Sequence, residues 1–215
     1  MMQSKDSERP PFDENAAVII AKALYGLQGE AFELPSERDK NFRLSTLSGE
    51  DYVLKIAAAS ERIETLEFQN AALNHLQDES KLLHFPQVIK SKNGDEIDTW
   101  EDTEGTQYFV RLLTYLPGGV FAKVNPHSPA LLFNLGMGIG TLTNRLQDFS
   151  HPAVYRKFYW DMKNASNVIH QYGVNIGEPE KRAIIDYFLN LFETLVLPFI
   201  DEVPCSVIHN DANDY

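Results

Sequence analysis

The closing residues of the chain, Val207-Ile208-His209-Asn210-Asp211-Ala212-Asn213-Asp214-Tyr215, decide how the rest is read. A histidine stands two residues before an aspartate, directly after a short apolar run. Asn-Asp-Ala-Asn-Asp is also turn-forming chemistry, because Asn and Asp side chains bond their own backbone. Alone, the triplet supports only a polar turn, so its weight depends on what precedes it.

Composition sets the outer bounds. The chain has 215 residues, 43% hydrophobic and 23% charged, which is a globular mixture and not a disordered or fibrous one. That length suits one or two domains with a substantial core. Nineteen Lys and Arg against 31 Asp and Glu give a net charge of −12, which argues against binding nucleic acid or anionic membranes by bulk charge. Cys205 is the single cysteine, so an intramolecular disulfide and a multi-cysteine zinc site are excluded, and a reducing compartment fits. The most apolar stretch, Ala183 to Ile200, is interrupted by Asp186, Asn190, Glu193 and Thr194, short of the ~20 apolar residues a membrane span needs. Met1 to Pro11 is polar and lacks an apolar signal-peptide centre. A disordered lead-in over 1–12 and a cytoplasmic location are expected.

Working back along the chain, helical spacing covers Asp13 to Tyr25, with Asp13 as N-cap and Gly26 as stop. Short β-prone runs follow at Ala31–Leu34, Asn41–Thr46 and Tyr52–Ala57, the last two separated by the turn Ser48-Gly49-Glu50-Asp51. Ser60 is expected to cap a helix from Glu61 to Gln77, striped by Ile63, Leu66, Leu73 and Leu76. Further strands are predicted at Pro86–Lys90, Glu96–Glu101 and Tyr108–Tyr115, with a turn at Asn93-Gly94. Pro117-Gly118-Gly119 then breaks the pattern. Beyond it, helices are predicted over Ser128–Gln147, Val154–Gln171 and Glu178–Leu197, the last striped by Ile184, Ile185, Phe188, Leu191, Phe192 and Leu195. The first half is β-rich and the second helical, with the joint near Leu116 to Val120.

Two polar signals stand out against that order. Tyr52-Val53-Leu54-Lys55-Ile56 is an apolar strand carrying one lysine. A lysine in such a place is costly unless an anion or carboxylate meets it, although an edge-strand lysine can also reach solvent. Kinase-like phosphotransferases place a phosphate-binding lysine in their third strand and a catalytic loop H-x-D-x-x-x-x-N later in the chain. There the Asp accepts or orients the substrate hydroxyl proton and the Asn holds a metal ion. Hairpin, strand lysine, helix, strand into a Pro-Gly break, helices and H-x-D occur here in that order. Leu34-Pro35-Ser36-Glu37-Arg38-Asp39-Lys40-Asn41-Phe42 occupies the place of the loop over the nucleotide phosphates. It contains no glycine, so it is either a loop donating from Ser36, Arg38 and backbone amides or a charged surface turn.

On these stretches, together with Phe68-Gln69-Asn70-Ala71-Ala72-Leu73, Val110 to Gly118 and Tyr159-Trp160-Asp161, the sequence resembles the aminoglycoside phosphotransferase superfamily of small-molecule kinases. It is most similar to the hydroxylysine-kinase-like branch, which includes kinase domains fused to class-III aminotransferases. The resemblance implies an α+β, two-lobed protein-kinase-like fold. A β-rich nucleotide-binding lobe would span 13–116, and a helical C-terminal lobe, incomplete and ending in the catalytic loop, would span 117–215. It implies ATP or GTP with Mg²⁺ as cofactors, and a small-molecule substrate such as hydroxylysine or an amino alcohol, with an aminoglycoside as the alternative. Lys55 would contact the α- and β-phosphates. Ser36, Glu37, Arg38 and Asn41 would lie over them. Thr114 and Leu116 would present backbone groups to adenine, with Tyr115 between them. Asp211 would be the catalytic base and His209 would brace its loop.

Departures accompany the likeness. The family's helix glutamate, partner of the strand lysine, falls on Gln69, with Glu64 and Glu67 nearby, and the sequence leaves the partner of Lys55 open. The metal-binding asparagine would fall one position after Tyr215, so residues 1–215 alone are expected to turn over little or no ATP. The second reading is a non-catalytic pseudokinase that binds nucleotide or a protein partner, with self-association through uncovered apolar surface. Gly136-Met137-Gly138-Ile139-Gly140 lacks the third glycine of a dinucleotide fingerprint and a preceding strand, so it is assigned to close helix packing. His75, His84, His127, His151 and His170 lack metal-ligand spacing; Trp100 and Trp160 are assigned to packing, and Cys205 to a buried place before an apolar strand.

Overall fold

A computed structural model describes residues 9–77, 83–156 and 160–212. The described chain falls into two compact units: residues up to His151 together with those from Ile208, and Pro152–Val207.

The first unit begins with α1, Glu14–Tyr25. Asp13 caps it by accepting from the Ala16 amide at 2.8 Å, and Gly26 closes it in the left-handed conformation, φ 74°, which glycine adopts without cost. Six strands follow: β1 Gly29–Leu34, β2 Lys40–Thr46, β3 Asp51–Ile56, β4 Val88–Ile89, β5 Asp98–Glu101 and β6 Gln107–Thr114. They form one antiparallel sheet ordered β1-β2-β3-β6-β4, with β5 also pairing along β6. Gly49, at φ 85°, turns the chain between β2 and β3 as its turn residues predict.

Register divides the sheet into two faces. Phe42 opposes Leu54, which opposes Leu112, and Ile56 opposes Val110. These side chains are fully buried against Ala17, Ile20 and Ala21 of α1. The lead-in contributes to this core: Pro10 is fully buried, and Phe12 packs edge-on against Tyr108 at 5.2 Å. A disordered lead-in therefore fails over residues 9–12, and residues 1–8 lie outside the described ones. Alternation places Asn41, Arg43, Val53, Lys55, Arg111 and Leu113 on the opposite face.

Helix α2 runs Ile63–Leu76. Its N-cap is Arg62, not Ser60; the Ser60 hydroxyl instead accepts from Arg38 at 3.1 Å. The buried residues of α2 are Leu66, Phe68, Asn70 and Leu76, whereas Ile63 is exposed. Helix α3, Pro129–Arg145, has Ser128 as N-cap and Pro129 in its first turn, where a proline is tolerated. The glycines of α3 do not mediate close packing. Among the described residues, a Cβ at Gly136 or Gly140 would meet nothing within 4 Å, and one at Gly138 would meet Leu83 at 3.7 Å.

In the second unit the single helix expected over 154–171 is replaced by short 3-10 turns at Pro152–Tyr155 and Met162–Asn164 and then α4, Ala165–Gly173. Asp161 ends the break by capping, accepting from the Lys163 amide at 3.0 Å. Residues 157–159, with Tyr159 of the quoted motif, lie outside the described ones. Helix α5 spans Pro179–Leu195. Leu189 is its buried residue, while Ile184, Phe188 and Leu195 of the expected stripe are exposed. Trp160 is 76% exposed, so it is not a packing residue here, whereas Trp100 packs on the sheet core.

Candidate functional site

The polar face of the sheet concentrates charge. Lys55 lies between Asn41 on β2 and Arg111 on β6, its direct register partners. Its ammonium donates to Asn41 Oδ1 at 3.0 Å, and no carboxylate bonds it among the described residues. Burial lowers the Lys55 pKa below the ordinary lysine value, the Arg111 charge lowers it further, and Asp39 opposes both.

Arg111 is 3% exposed. Its guanidinium donates to Asn70 Oδ1 at 2.8 Å, Gln69 Oε1 at 2.5 Å and the Leu66 carbonyl at 3.5 Å, all on α2. Burial also lowers its pKa, against Asp39, Glu61 and Tyr25. Gln69, one of the candidates left open as partner of Lys55, is thus taken by Arg111. Glu64 pairs with Arg62 instead. Asn70 is 1% exposed and also donates to the Glu96 carbonyl at 3.3 Å, so its place inside an otherwise apolar helix face is accounted for.

The loop between β1 and β2 is tied to this region. Ser36 Oγ donates to the Asp39 carbonyl at 2.5 Å. Arg38 reaches Ser60 and approaches Glu61 at 4.0 Å. Asp39 Oδ1 accepts from the Ala58 amide at 3.1 Å, and its charge acts on both Lys55 and Arg111. Glu37 is exposed. The structure therefore gathers Ser36, Arg38, Asn41, Lys55 and Gln69 around one end of the sheet. It adds Asp39, Asn70 and Arg111, to which sequence reasoning gave no role. The available signal was an arginine inside the apolar run Phe109–Leu113.

At the other end of the same face, Arg43 is held twice by Asp51 Oδ2, at 2.5 and 3.2 Å, and lies 4.7 Å from the centre of the Tyr115 ring. The Thr114 amide donates to the Gln87 carbonyl and the Tyr115 amide to that of Asp51. Those two donors are spent within the fold. Among the described residues no hydrogen bond occupies the backbone of Leu116.

His209 and Asp211 come from a separate stretch, 204–212, with neither helix nor strand, and both are exposed. Asn210 between them has φ 62°, a left-handed conformation that Asn tolerates better than most residues. Cys205 is exposed, with its thiol on the Val203 carbonyl at 3.5 Å, so neither its burial nor the apolar strand after it is found. Residues 213–215 lie outside the described ones. Among the described residues no group of three His, Cys, Asp or Glu is placed to hold a metal ion, and no helix is long and apolar enough to cross a membrane.

Residues 32–214 match the sequence model of the phosphotransferase enzyme family, APH. Hydroxylysine kinase of Mus musculus is 28% identical over 232 residues, covering 99% of this chain and 60% of that protein. Hydroxylysine kinase of Danio rerio is 29% identical over 224 residues, covering 100% and 62%. The chain thus spans about three-fifths of these relatives' length. Among solved structures, the amicoumacin kinase hAmiN, in complex with AMP-PNP, Ca²⁺ and Ami, superposes with TM-score 0.61 at 15% identity, covering 91% of this chain and 57% of that one. A microcompartment-associated aminopropanol kinase gives 0.52 at 16%, covering 67% and 44%. The antiparallel sheet followed by helices is the fold of these kinases, and the chain belongs to the APH phosphotransferase enzyme family.

Proposed function

We propose that this chain is part of a small-molecule kinase that transfers the terminal phosphoryl group of ATP or GTP to a hydroxyl of an amine-bearing metabolite such as hydroxylysine or an amino alcohol. The observation that carries the reading is the pairing of Lys55 with Arg111. A half-buried Lys55 and a buried Arg111 face each other across β3 and β6, hydrogen-bonded among the described residues to amide and carbonyl oxygens. Charges in such surroundings normally have a counter-ion. A polyphosphate supplies one, and the donor chemistry of Lys55 fits it. The relatives' names support the acceptor class, and the net charge of −12 suits a cationic substrate.

In this reading 13–116 is the nucleotide lobe and 117–215 the substrate lobe. Lys55 holds the α- and β-phosphates under the Ser36–Asn41 loop. Leu116 offers its backbone groups to the base, beside Thr114 and Tyr115. The Asp211 carboxylate accepts the proton of the substrate hydroxyl as its oxygen bonds to the terminal phosphorus and the bond to the bridging oxygen breaks, releasing the nucleoside diphosphate. His209 braces the Asp211 loop. A divalent ion supplies charge neutralisation to such transfers. No set of three His, Cys, Asp or Glu ligands is placed for one among the described residues.

Thermal shift with ATP, GTP and adenosine, on the wild type and Lys55→Met, tests the phosphate site. Stabilisation by triphosphates that Lys55→Met abolishes is expected. Equal stabilisation of both proteins, or none of either, overturns the reading. Phosphate transfer to hydroxylysine, an aminopropanol and an aminoglycoside then ranks the acceptors.

A further inference from the structure

Arg111 raises a separate question. A buried guanidinium is nearly always charged and ordinarily meets a carboxylate. Here its three acceptors, on Leu66, Gln69 and Asn70, are all neutral and all on α2. It also sits directly opposite Lys55, and like charges directly opposed across a sheet are destabilising. The helix position where the family's glutamate is expected carries Gln69, whose side chain goes to Arg111 and not to Lys55. Among the described residues Lys55 keeps one hydrogen-bond partner, the neutral Asn41.

We propose that Arg111 is a positioning residue for Lys55: it fastens α2 to the sheet through the amides of Gln69 and Asn70 and leaves the Lys55 ammonium with a neutral partner, available to a ligand phosphate. The inference rests on the phosphate-site reading above. A carboxylate at position 69 would be claimed by the Arg111 fork and would cancel the positive field that the site presents. Asp39 from the β1–β2 loop acts on both cations, Glu61 ahead of α2 acts on Arg111, and the Tyr25 phenol at the end of α1, kept neutral by burial, also faces Arg111; among the described residues none of them hydrogen-bonds either cation. With Arg111 in place, the helix link and the phosphate contact are made by different side chains, where a lysine–glutamate pair would combine them.

The test is competitive amine labelling of the whole chain against pH, read at Lys55 by mass spectrometry, with and without ATP. In the wild type the Lys55 midpoint is expected below that of surface lysines. Arg111→Gln, which removes the charge but can still bond amides, should raise it by about 0.5 pH unit or more. Arg111→Lys, which keeps the charge and loses the fork, should leave it unchanged and speed hydrogen exchange in α2. A folded Arg111→Gln protein with an unmoved midpoint overturns the proposal. Should Arg111→Gln fail to fold, Arg111→Lys decides: faster α2 exchange at a wild-type midpoint supports it, and unchanged exchange overturns it. Protection of Lys55 by ATP judges the phosphate reading separately, because the midpoints are measured without ligand.

Discussion

Asn41 and Lys55 face each other across β2 and β3, and the Asn41 amide oxygen accepts from the Lys55 ammonium at 3.0 Å. One neutral acceptor thus holds the cation at the centre of the site. Hydrogen bonds to charged groups contribute about 1.5–3 kcal/mol. Asn41→Ala is expected to lower stability by an amount in that range, measured by urea unfolding. Asn41→Asp should instead stabilise the free protein and weaken triphosphate binding, because the new carboxylate competes with the phosphate.

The Lys55 charge itself opposes folding. Its folded pKa lies below the ordinary value of 10.5, first through burial and then through Arg111. The native state therefore releases this proton before the unfolded chain does, and stability rises with pH between the folded and the unfolded values. Lys55→Met keeps most of the stem volume and removes the titration. It should be at least as stable as the wild type at about pH 7, and the wild type should close the gap as pH climbs to about 10. Urea midpoints across that range decide. A gap that widens with pH contradicts the assigned direction.

The core and its caps give predictions independent of any ligand. Leu54 is fully buried between Phe42 and Leu112, so Leu54→Ala should cost about 2–5 kcal/mol. Asp13 caps α1 through the Ala16 amide, and Asp13→Ala should cost about 0.5–2 kcal/mol. Both are read by thermal or urea unfolding of the whole chain, and the first should exceed the second.

Local chemistry explains what the sequence made legible. The turns at Gly49 and Gly94, both at positive φ, and the N-cap Asp13 are properties of a few neighbouring residues, and each was found where it was expected. Lys55 was legible as a charge inside an apolar strand. Arg111, Asp39 and Asn70 were not, because their roles arise from cross-strand register and from where α2 packs, and neither is encoded in local spacing. The same reason separates the apolar stripe of α5 from its actual burial. Period shows that a face is apolar, not that anything covers it, and Ile184, Phe188 and Leu195 are exposed. The helix expected from 154 ran through Asp161, a residue that caps, whereas α4 begins at Ala165.

Asp39 should show a trade of stability against binding. Its Oδ1 accepts from the Ala58 amide at 3.1 Å, and its charge favours the charged forms of both Lys55 and Arg111. Asp39→Asn keeps an oxygen for the Ala58 amide and deletes the carboxylate that offsets the two cations. The free protein should then melt lower, because the repulsion of Lys55 and Arg111 is less compensated. A bound triphosphate should restore more stability than it does in the wild type, because it meets a more positive site. Melting curves of both proteins, with and without ATP, measure the two effects together. A lower melting temperature with a larger ATP-induced rise is expected. A lower melting temperature with a smaller rise would mean that Asp39 shapes the loop over the phosphates and that its charge is secondary.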